Sequence, residues 1–354
     1  MQRSLQFTSL ILLLGLSVSR GNAGFTSMYV FGDGICSMTN SSGAPLYYGK
    51  RFSNGRVWVE VLAQRQGLVL ETNKDWSFFG HYSANLVTNV VNFGAPPDVA
   101  TSLFIVWVNN ADFVDDLSRP QFQPYASNNL AVWTNAINQT LSNHVTAVTT
   151  LYNKGVRTMI LPNAVDITKA PYYNLGTNNE SFIRQRVIDF NFAFTNRLNQ
   201  LKLTLTNLTF IVPDMFAMLD DFIAHPTGYG LTNVTGYALD EQADISFTGP
   251  GTNYLFWDYL HPSAKVHEVL ADTVQQQLSP VRIASVTPVG NSNQLAVANY
   301  PAWLAGFVDG STNFLNWLQA QSFSSTNTTL TVTVSNSGPQ RFYRLRFPFV
   351  WTWP

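Results

Sequence analysis

Asp258 and His261 stand three residues apart, directly ahead of Pro262 and a helical pattern. A carboxylate at that offset can reach the imidazole across one turn and fix which ring nitrogen carries its proton. An imidazole held in this way acts as the general base when an ester is hydrolysed by nucleophilic catalysis. Such a pair is also common as a purely structural contact, so its interpretation depends on the residues around it.

Apolar runs elsewhere in the chain end in residues that could complete such a site. The runs at residues 28–31 and 103–107 lead to Asp33 and to the polar cluster at 109–112, and a third run ends near Asp214. Uninterrupted apolar runs of this length are typical of strands in a parallel sheet covered on both faces. Because ligands bind beyond the carboxyl ends of such strands, we expect these turns to meet at one cleft.

Helical patterns alternate with these strands. Apolar residues recur at spacings of three and four over residues 130–148, 182–201 and 266–278. Such stripes are typical of helices that pack one face on a core. Alternation of strands and helices over residues 24–280 predicts an α/β domain with a doubly wound parallel sheet.

The pattern changes after residue 280. Residues 282–288, 294–298 and 329–334 are typical of strands, and glycine-containing turns separate them. Residues 281–354 are therefore predicted to form a separate, small all-β domain, a C-terminal β-sandwich. Its aromatic residues would either fill a small core or bind sugars by stacking.

Three stretches together resemble the SGNH/GDSL hydrolases, a family of esterases and lipases. Residues 256–263 (FWDYLHPS), followed by His267, are similar to the family's last conserved block. Residues 29–35 (YVFGDGI) resemble its opening strand and Phe-Gly-Asp-Ser-Leu turn, and residues 51–56 (RFSNGR) match its downstream Arg-Phe-Ser-Asn-Gly-Arg stretch. The resemblance extends from about Met28 to Leu270. It implies a flavodoxin-like three-layer fold and ester hydrolase activity.

The resemblance also implies catalytic roles. His261 would be the general base and Asp258 the carboxylate that orients it. The family's nucleophilic serine maps onto Gly34, so the nucleophile position is vacant. Losing a triad serine lowers turnover by on the order of 10⁶. Cys36 and Ser37 follow closely, and Cys36 stays an alternative nucleophile, although a buried structural cysteine is the simpler interpretation.

The oxyanion donors implied by the resemblance are the backbone N–H of Gly80 and the side chain of Asn110. Asn110 takes this role when the two sequences are aligned on Trp107. Aligning them on Asp112-Phe113 instead places Ala111 there, and the donor is then missing. The loss of one such donor lowers turnover by roughly 10²–10³.

Residues 1–23 are typical of an export signal. Arg3 precedes a mostly apolar stretch at residues 5–18, and small residues follow at 21 and 23. This predicts a signal peptide and a secreted or periplasmic protein, with an uncleaved membrane anchor as the alternative. No later segment is long and apolar enough to predict a stable membrane span in the mature chain.

The charge of the chain argues against some classes of partner, and the spacing of its histidines argues against a metal site. Its net charge is −1 and only 12% of its residues are charged, so neither nucleic acid nor an anionic membrane is an expected partner. The five histidines lack metal-ligand spacing, and we expect no metal and no cofactor. His81 is expected to be an exposed loop residue, although it could enter the cleft. His144 and His225 are expected on the surface.

The sequence leaves two functions open. One is a secreted ester hydrolase of the esterase/lipase class, inactive or strongly impaired by glycine at position 34, whose ligand is a small-molecule, polysaccharide or lipid ester. The other is a non-catalytic, secreted carbohydrate- or lipid-binding protein on the same scaffold. In a variant of the first function, the protein would remain an active hydrolase because His261 would activate a water molecule directly. The intact Asp258–His261 pair favours a site that still binds an ester.

Overall fold

The computed structural model describes residues 24–335 and 341–347. The predicted signal peptide lies outside the described residues. The helices are α1 (Trp58–Arg65), α2 (Ser83–Asn92), α3 (Asn109–Ser118), α4 (Leu130–Asn153), α5 (Thr177–Thr204), α6 (Met215–Ala224), α7 (Ala238–Glu241) and α8 (Ala264–Leu278). The strands of the first 280 residues are β1 (Met28–Gly32), β2 (Leu103–Trp107), β3 (Thr158–Ile160), β4 (Thr209–Ile211), β5 (Asn233–Tyr237) and β6 (Tyr254–Phe256).

The central sheet is parallel, with its strands in the order β1-β2-β3-β4. Its register pairs Gly32 with Trp107 and Ile105 with Ile160. Every residue of β1 and β2 is buried, as expected for strands covered on both faces. The predicted parallel sheet is thus confirmed, and the apolar runs that predicted it are its strands.

An extended segment at residues 75–78 lies along the free side of β1. The backbone N–H of Trp76 donates to the carbonyl of Val30 at 2.8 Å, and Val30 also forms a parallel bridge with Asp75. The chain therefore goes from β1 to one side of it and returns to β2 on the other side. This is the topological switch point of a doubly wound sheet, beyond whose carboxyl ends ligands bind.

The helices form two groups. Helix α1 packs against α8, while α2, α3 and α5 each pack against α4. The three predicted helical stripes correspond to α4, α5 and α8. Within residues 24–335 and 341–347, no helix has both the length and the apolar character needed to cross a membrane.

Within the described residues, six further strands follow α8. They are β7 (Arg282–Val289), β8 (Ser292–Ala298), β9 (Gly306–Ser311), β10 (Leu318–Phe323), β11 (Thr329–Ser335) and β12 (Phe342–Arg346). They form two antiparallel three-stranded sheets in the orders β11-β8-β7 and β10-β9-β12. Residues of both sheets, including Leu295, Val308 and Val332, are buried in a common small core. The predicted strands correspond to β7, β8 and β11, whereas β9, β10 and β12 were not predicted.

Candidate active site

A pocket opens at the carboxyl ends of β1 and β2, at the switch point. It encloses about 100 Å³. Its wall is mostly apolar, and Asp33, Asn110 and His261 are among its few polar residues. The complete lining is Asp33, Gly34, Ile35, Phe79, Gly80, Tyr82, Asn110, Ala111, Val114, Ile167, Leu260 and His261. The site residues proposed from sequence meet here, except Asp258, which lies behind His261.

Asp258 orients the His261 ring. Its Oδ2 lies 2.9 Å from Nδ1 of His261, and its Oδ1 accepts the backbone N–H groups of Leu260 and His261 at 2.8 and 2.7 Å. Burial alone would raise the pKa of Asp258, but the charge of His261 and these hydrogen bonds hold it below its usual range. A carboxylate accepts, so Nδ1 carries the proton and Nε2 is left to act as a base.

Tyr47 supports this pair from a loop that the sequence analysis did not single out. Its hydroxyl donates to Oδ2 of Asp258 at 2.9 Å. The ring of His261 is stacked on Phe52, with a centroid distance of 4.6 Å and an interplanar angle of 15°. The ring is therefore fixed at one edge by the carboxylate and on one face by an aromatic residue.

Nε2 of His261 lies against Gly34. A Cβ atom built on Gly34 would be 2.5 Å from Nε2 and 3.2 Å from Cδ2 of Phe79. Carbon and nitrogen atoms that are not bonded do not approach this closely, so the imidazole occupies space that a serine side chain would need. Position 34 lacks a side chain, but the histidine leaves no serine-sized void beside it.

The candidate oxyanion donors both line the pocket. Gly80 has a φ of +77°, a backbone conformation that glycine adopts without steric cost. Oδ1 of Asn110 accepts the backbone N–H of Val165 at 3.0 Å, and the amide also hydrogen-bonds the Asp33 carboxyl. An amide nitrogen has two hydrogens, so Asn110 keeps one donor for a ligand. Ala111 lies beside it and offers no side-chain donor.

Comparison with known proteins decides the family. Residues 28–274 match the family model described as GDSL-like Lipase/Acylhydrolase, which is well over half of the chain.

The chain belongs to the GDSL-like lipase/acylhydrolase family.

Curated relatives are distant. A GDSL esterase/lipase of Arabidopsis thaliana is 24% identical over 322 residues, covering 72% of this chain and 83% of the relative. The thermolabile hemolysin of Vibrio parahaemolyticus is 22% identical over 235 residues, covering 62% and 54%. Among solved structures, a lipase from a goat rumen metagenome has a TM-score of 0.44 at 13% identity, covering 71% of this chain and 97% of that one.

Asp33 is a carboxyl group of the pocket for which the sequence analysis specified no catalytic role. Burial raises the pKa of Asp33 to about 6. This increase is opposed by the backbone N–H of Ile35, which donates to Oδ1 at 3.1 Å, by the charge of His261, and by the hydrogen bond with Asn110. Its position at the end of an apolar strand was the available signal. The pocket thus contains a carboxyl group, Asp33, that can change protonation near neutral pH.

Cys36 lies in the core beneath the GDSL turn. It is fully buried, and its Sγ accepts the indole N–H of Trp58 at 3.3 Å. Burial raises the pKa of its thiol well above the usual value. A reactive cysteine needs an exposed, electropositive setting, so this arrangement agrees with the structural interpretation. Ser37 is also fully buried, and neither residue is part of the pocket lining.

Two histidine predictions were wrong. His81 is buried, with Nδ1 2.9 Å from the carbonyl of Gly32 and Nε2 3.0 Å from Nδ2 of Asn89. His144 is buried between α4 and α5, next to Phe194. His144 is covered by α5, and His81 also contacts Gly32 of β1, 49 positions away; one chain segment does not reveal such contacts. His225 is exposed, as predicted. Among the described residues, no three His, Cys, Asp or Glu side chains converge as a metal site.

Proposed function

We propose that this protein is an exported ester-binding member of its family whose hydrolase activity is strongly reduced. The observation that carries the proposal is the contact between Nε2 of His261 and Gly34. A base that is correctly oriented by Asp258 faces a residue with no atom able to attack a carbonyl carbon. The pocket can admit an acyl group, but formation of an acyl-enzyme has no nucleophile.

Other attackers are poorly placed. The Cys36 thiol is buried and protonated, and Ser37 has no accessible surface. Water cannot stand between Gly34 and Nε2, because the imidazole already lies against the backbone there. Water would have to attack from the open side of the pocket. Residual hydrolysis would then depend on the Asn110 and Gly80 donors and on binding, which can retain part of the rate without a triad.

A non-catalytic binding protein is the second candidate. The amide of Asn110 supports it, because this amide already bonds Val165 and Asp33 and has one hydrogen left for a ligand. The two proposals share the ligand and differ in turnover. Export remains part of both and depends on residues 1–23. Sequencing the N-terminus of the exported protein would test it, with cleavage near Ala23 as the expected result.

The two properties can be measured separately on the native protein. Saturation-transfer NMR with methyl butyrate reports binding, and release of p-nitrophenol from p-nitrophenyl acetate reports turnover. We expect the native protein to bind methyl butyrate, and a bulky substitution in the pocket, Val114→Trp, to abolish this binding. We expect its turnover of p-nitrophenyl acetate to be close to that of buffer. Absence of methyl butyrate binding would contradict both candidates. Rapid turnover that His261→Ala removes would contradict the reduced activity.

A further inference from the structure

The turn that leads from β9 into β10 exposes large apolar side chains. Leu315 is 83% exposed, Leu318 is 76% exposed and Phe314 is 59% exposed. Residues 310–323 contain no charged residue. Exposed apolar side chains that are scattered singly are common, whereas a cluster of them marks a surface that contacts a protein or a membrane. We call residues 314–318 (FLNWL) the apolar tip.

Hydrogen bonds hold the apolar tip in a defined conformation. Oδ1 of Asn313 accepts the backbone N–H groups of Leu315 and Asn316, both at 3.0 Å. The indole N–H of Trp317 donates to the carbonyl of Phe314 at 2.9 Å. Phe314 has a φ of +60°, which costs a residue other than glycine free energy. The fixed turn leaves Leu315 in solvent, so the apolar surface of this side chain can be buried only against another molecule.

Strand β12 begins beside this turn and runs away from it. At its start, the ring of Phe342 stacks on Phe314 with a centroid distance of 3.5 Å. Arg344 comes two residues later, and its guanidinium carbon lies 4.5 Å from the centroid of the Trp317 ring. Arg346 follows after two more residues. Since alternate residues of a strand are about 7 Å apart on one face, the two cations form a row behind the apolar tip.

The positive charge of this row is only partly compensated. Oδ2 of Asp309 lies 3.2 Å from Nε of Arg344 and 3.0 Å from Nε of Arg346, and both arginine side chains are still about half exposed. Residues 281–354 contain four arginines, no lysine and one acidic residue, Asp309. This part of the chain therefore has a net charge of +3, although the whole chain has −1. A positive charge attracts the phosphate groups of anionic lipids.

We propose that the apolar tip inserts into the interfacial layer of a phospholipid bilayer, with Arg344 and Arg346 at the lipid phosphates. Apolar side chains of interfacial proteins enter the boundary between headgroups and acyl chains by roughly 5–10 Å, which matches the spacing of the tip and the arginines. Tryptophan is enriched at this depth, and Trp317 contacts Arg344. The order of apolar tip, indole and cations is the order of layers in a bilayer, and a protein groove imposes no such order.

Co-sedimentation with vesicles of phosphatidylethanolamine and phosphatidylglycerol tests the apolar tip. Residues 24–354 are used, so that the apolar stretch of the predicted signal peptide does not bind lipid itself. We expect Leu315→Gln and Leu318→Gln each to weaken binding about tenfold or more, because an apolar side chain no longer leaves water. The matched control is Leu203→Gln, at a leucine of α5 that is also 83% exposed. It should bind like the native protein.

The arginines are tested by their dependence on lipid charge. Arg344→Gln should weaken binding to the same vesicles about fivefold, because one cation near an anionic surface contributes about this factor. With vesicles of phosphatidylcholine alone, Arg344→Gln and the native protein should bind equally. Arg197→Gln is the control, because it removes the same charge from an exposed position on α5. Equal losses in Arg344→Gln and Arg197→Gln would contradict the placement of Arg344 at the lipid phosphates.

A fluorophore locates the contact. Cys36 is fully buried, so a cysteine introduced by Leu315→Cys can be labelled selectively with an environment-sensitive dye. Vesicles should shift its emission to shorter wavelength, and the same dye on Leu203→Cys should not respond. Absence of vesicle binding by the native protein would overturn the proposal, as would native-like binding by Leu315→Gln and Leu318→Gln. Self-association in the absence of lipid that Leu315→Gln removes would overturn it in favour of a second copy of the chain. Thermal unfolding of each variant verifies that it is folded.

Discussion

At the scale of single residues, the site depends on the contact between His261 and Gly34. Asp258 and Phe52 determine where the His261 ring can lie, and the absence of a side chain at Gly34 lets Nε2 approach the backbone. Adding a side chain would require the ring to move while its other edge stays bonded to Asp258. Replacing the glycine therefore changes the position of the base as well as supplying a nucleophile.

A double-mutant cycle tests this contact. We expect Gly34→Ala to lower the free energy of unfolding by about 1–3 kcal/mol, because its Cβ overlaps the imidazole. In a His261→Ala background, the same substitution should leave the free energy of unfolding nearly unchanged. Urea denaturation of the four proteins gives the coupling energy, expected at about 1 kcal/mol or more. Equal effects in both backgrounds would show that the ring does not occupy this space.

His144 predicts a pH dependence of stability. Burial lowers its pKa to about 4, whereas in the unfolded chain it is about 6.5. Below pH 6.5 the unfolded chain therefore binds more protons than the folded one. The contribution of neutral His144 to stability is complete above this pH and is lost as the pH falls toward 4.

Replacing His144 by phenylalanine removes that dependence while keeping an aromatic ring beside Phe194. Between pH 7.5 and 4.5, the free energy of unfolding of His144→Phe should rise relative to that of the native protein by about 2–3 kcal/mol. A profile for His144→Phe that runs parallel to the native one would contradict the neutral, buried state of His144.

At the scale of elements, the parallel sheet was predictable because each strand carries its own signal. The uninterrupted apolar runs of β1 and β2 are what burial on both faces requires. The edge segment at residues 75–78 was not predictable, since Asp75-Trp76-Ser77-Phe78 has no such run and pairs only because β1 is already present. The burial of His81 was missed for the same reason. Likewise, the approach of His261 to Gly34 depends on the fold and not on either sequence motif.

A distant loop stabilises the start of α8, the helix that follows His261. Oδ1 of Asn54 accepts the backbone N–H of Ala264 at 2.8 Å, and its amide nitrogen donates to the carbonyl of Phe247 at 3.3 Å. Asn54→Ala should lower the free energy of unfolding by about 0.5–2 kcal/mol, because the N–H group loses its acceptor. Thermal unfolding measures the loss. Asn54→Asp keeps an acceptor and should recover most of it; no recovery would contradict this capping role.

At the scale of the whole molecule, Arg65 forms a buried ion pair within the α/β part and also hydrogen-bonds the loop between β8 and β9. Arg65 of α1 and Asp272 of α8 are 2.7 Å apart, and both side chains are about 93% buried. Arg65 also exchanges backbone and side-chain hydrogen bonds with Ala302. Burial raises the pKa of Asp272, and the nearby Arg65 opposes this increase.

Arg65→Ala should therefore destabilise the protein by about 3–5 kcal/mol, because it leaves a buried carboxylate without a partner. The double variant Arg65→Ala, Asp272→Ala should be less destabilised than the sum of the single variants. Guanidinium denaturation at pH 7 measures both. Strict additivity would show that the two charges do not interact. The sequence offered no means of predicting this pair, since its partners are 207 positions apart.

The central claim is that the site holds an oriented base and lacks a nucleophile. The most direct test is kcat/KM for p-nitrophenyl acetate in the native protein, in Gly34→Ser, and in Gly34→Ser combined with His261→Ala. The account predicts turnover near that of buffer for the native protein. It predicts a gain with Gly34→Ser, limited by the shift that the His261 ring must make, and loss of this gain in the double variant. Substantial native activity that Gly34→Ser lowers would contradict it, because the attacking group would then be one for which glycine leaves space.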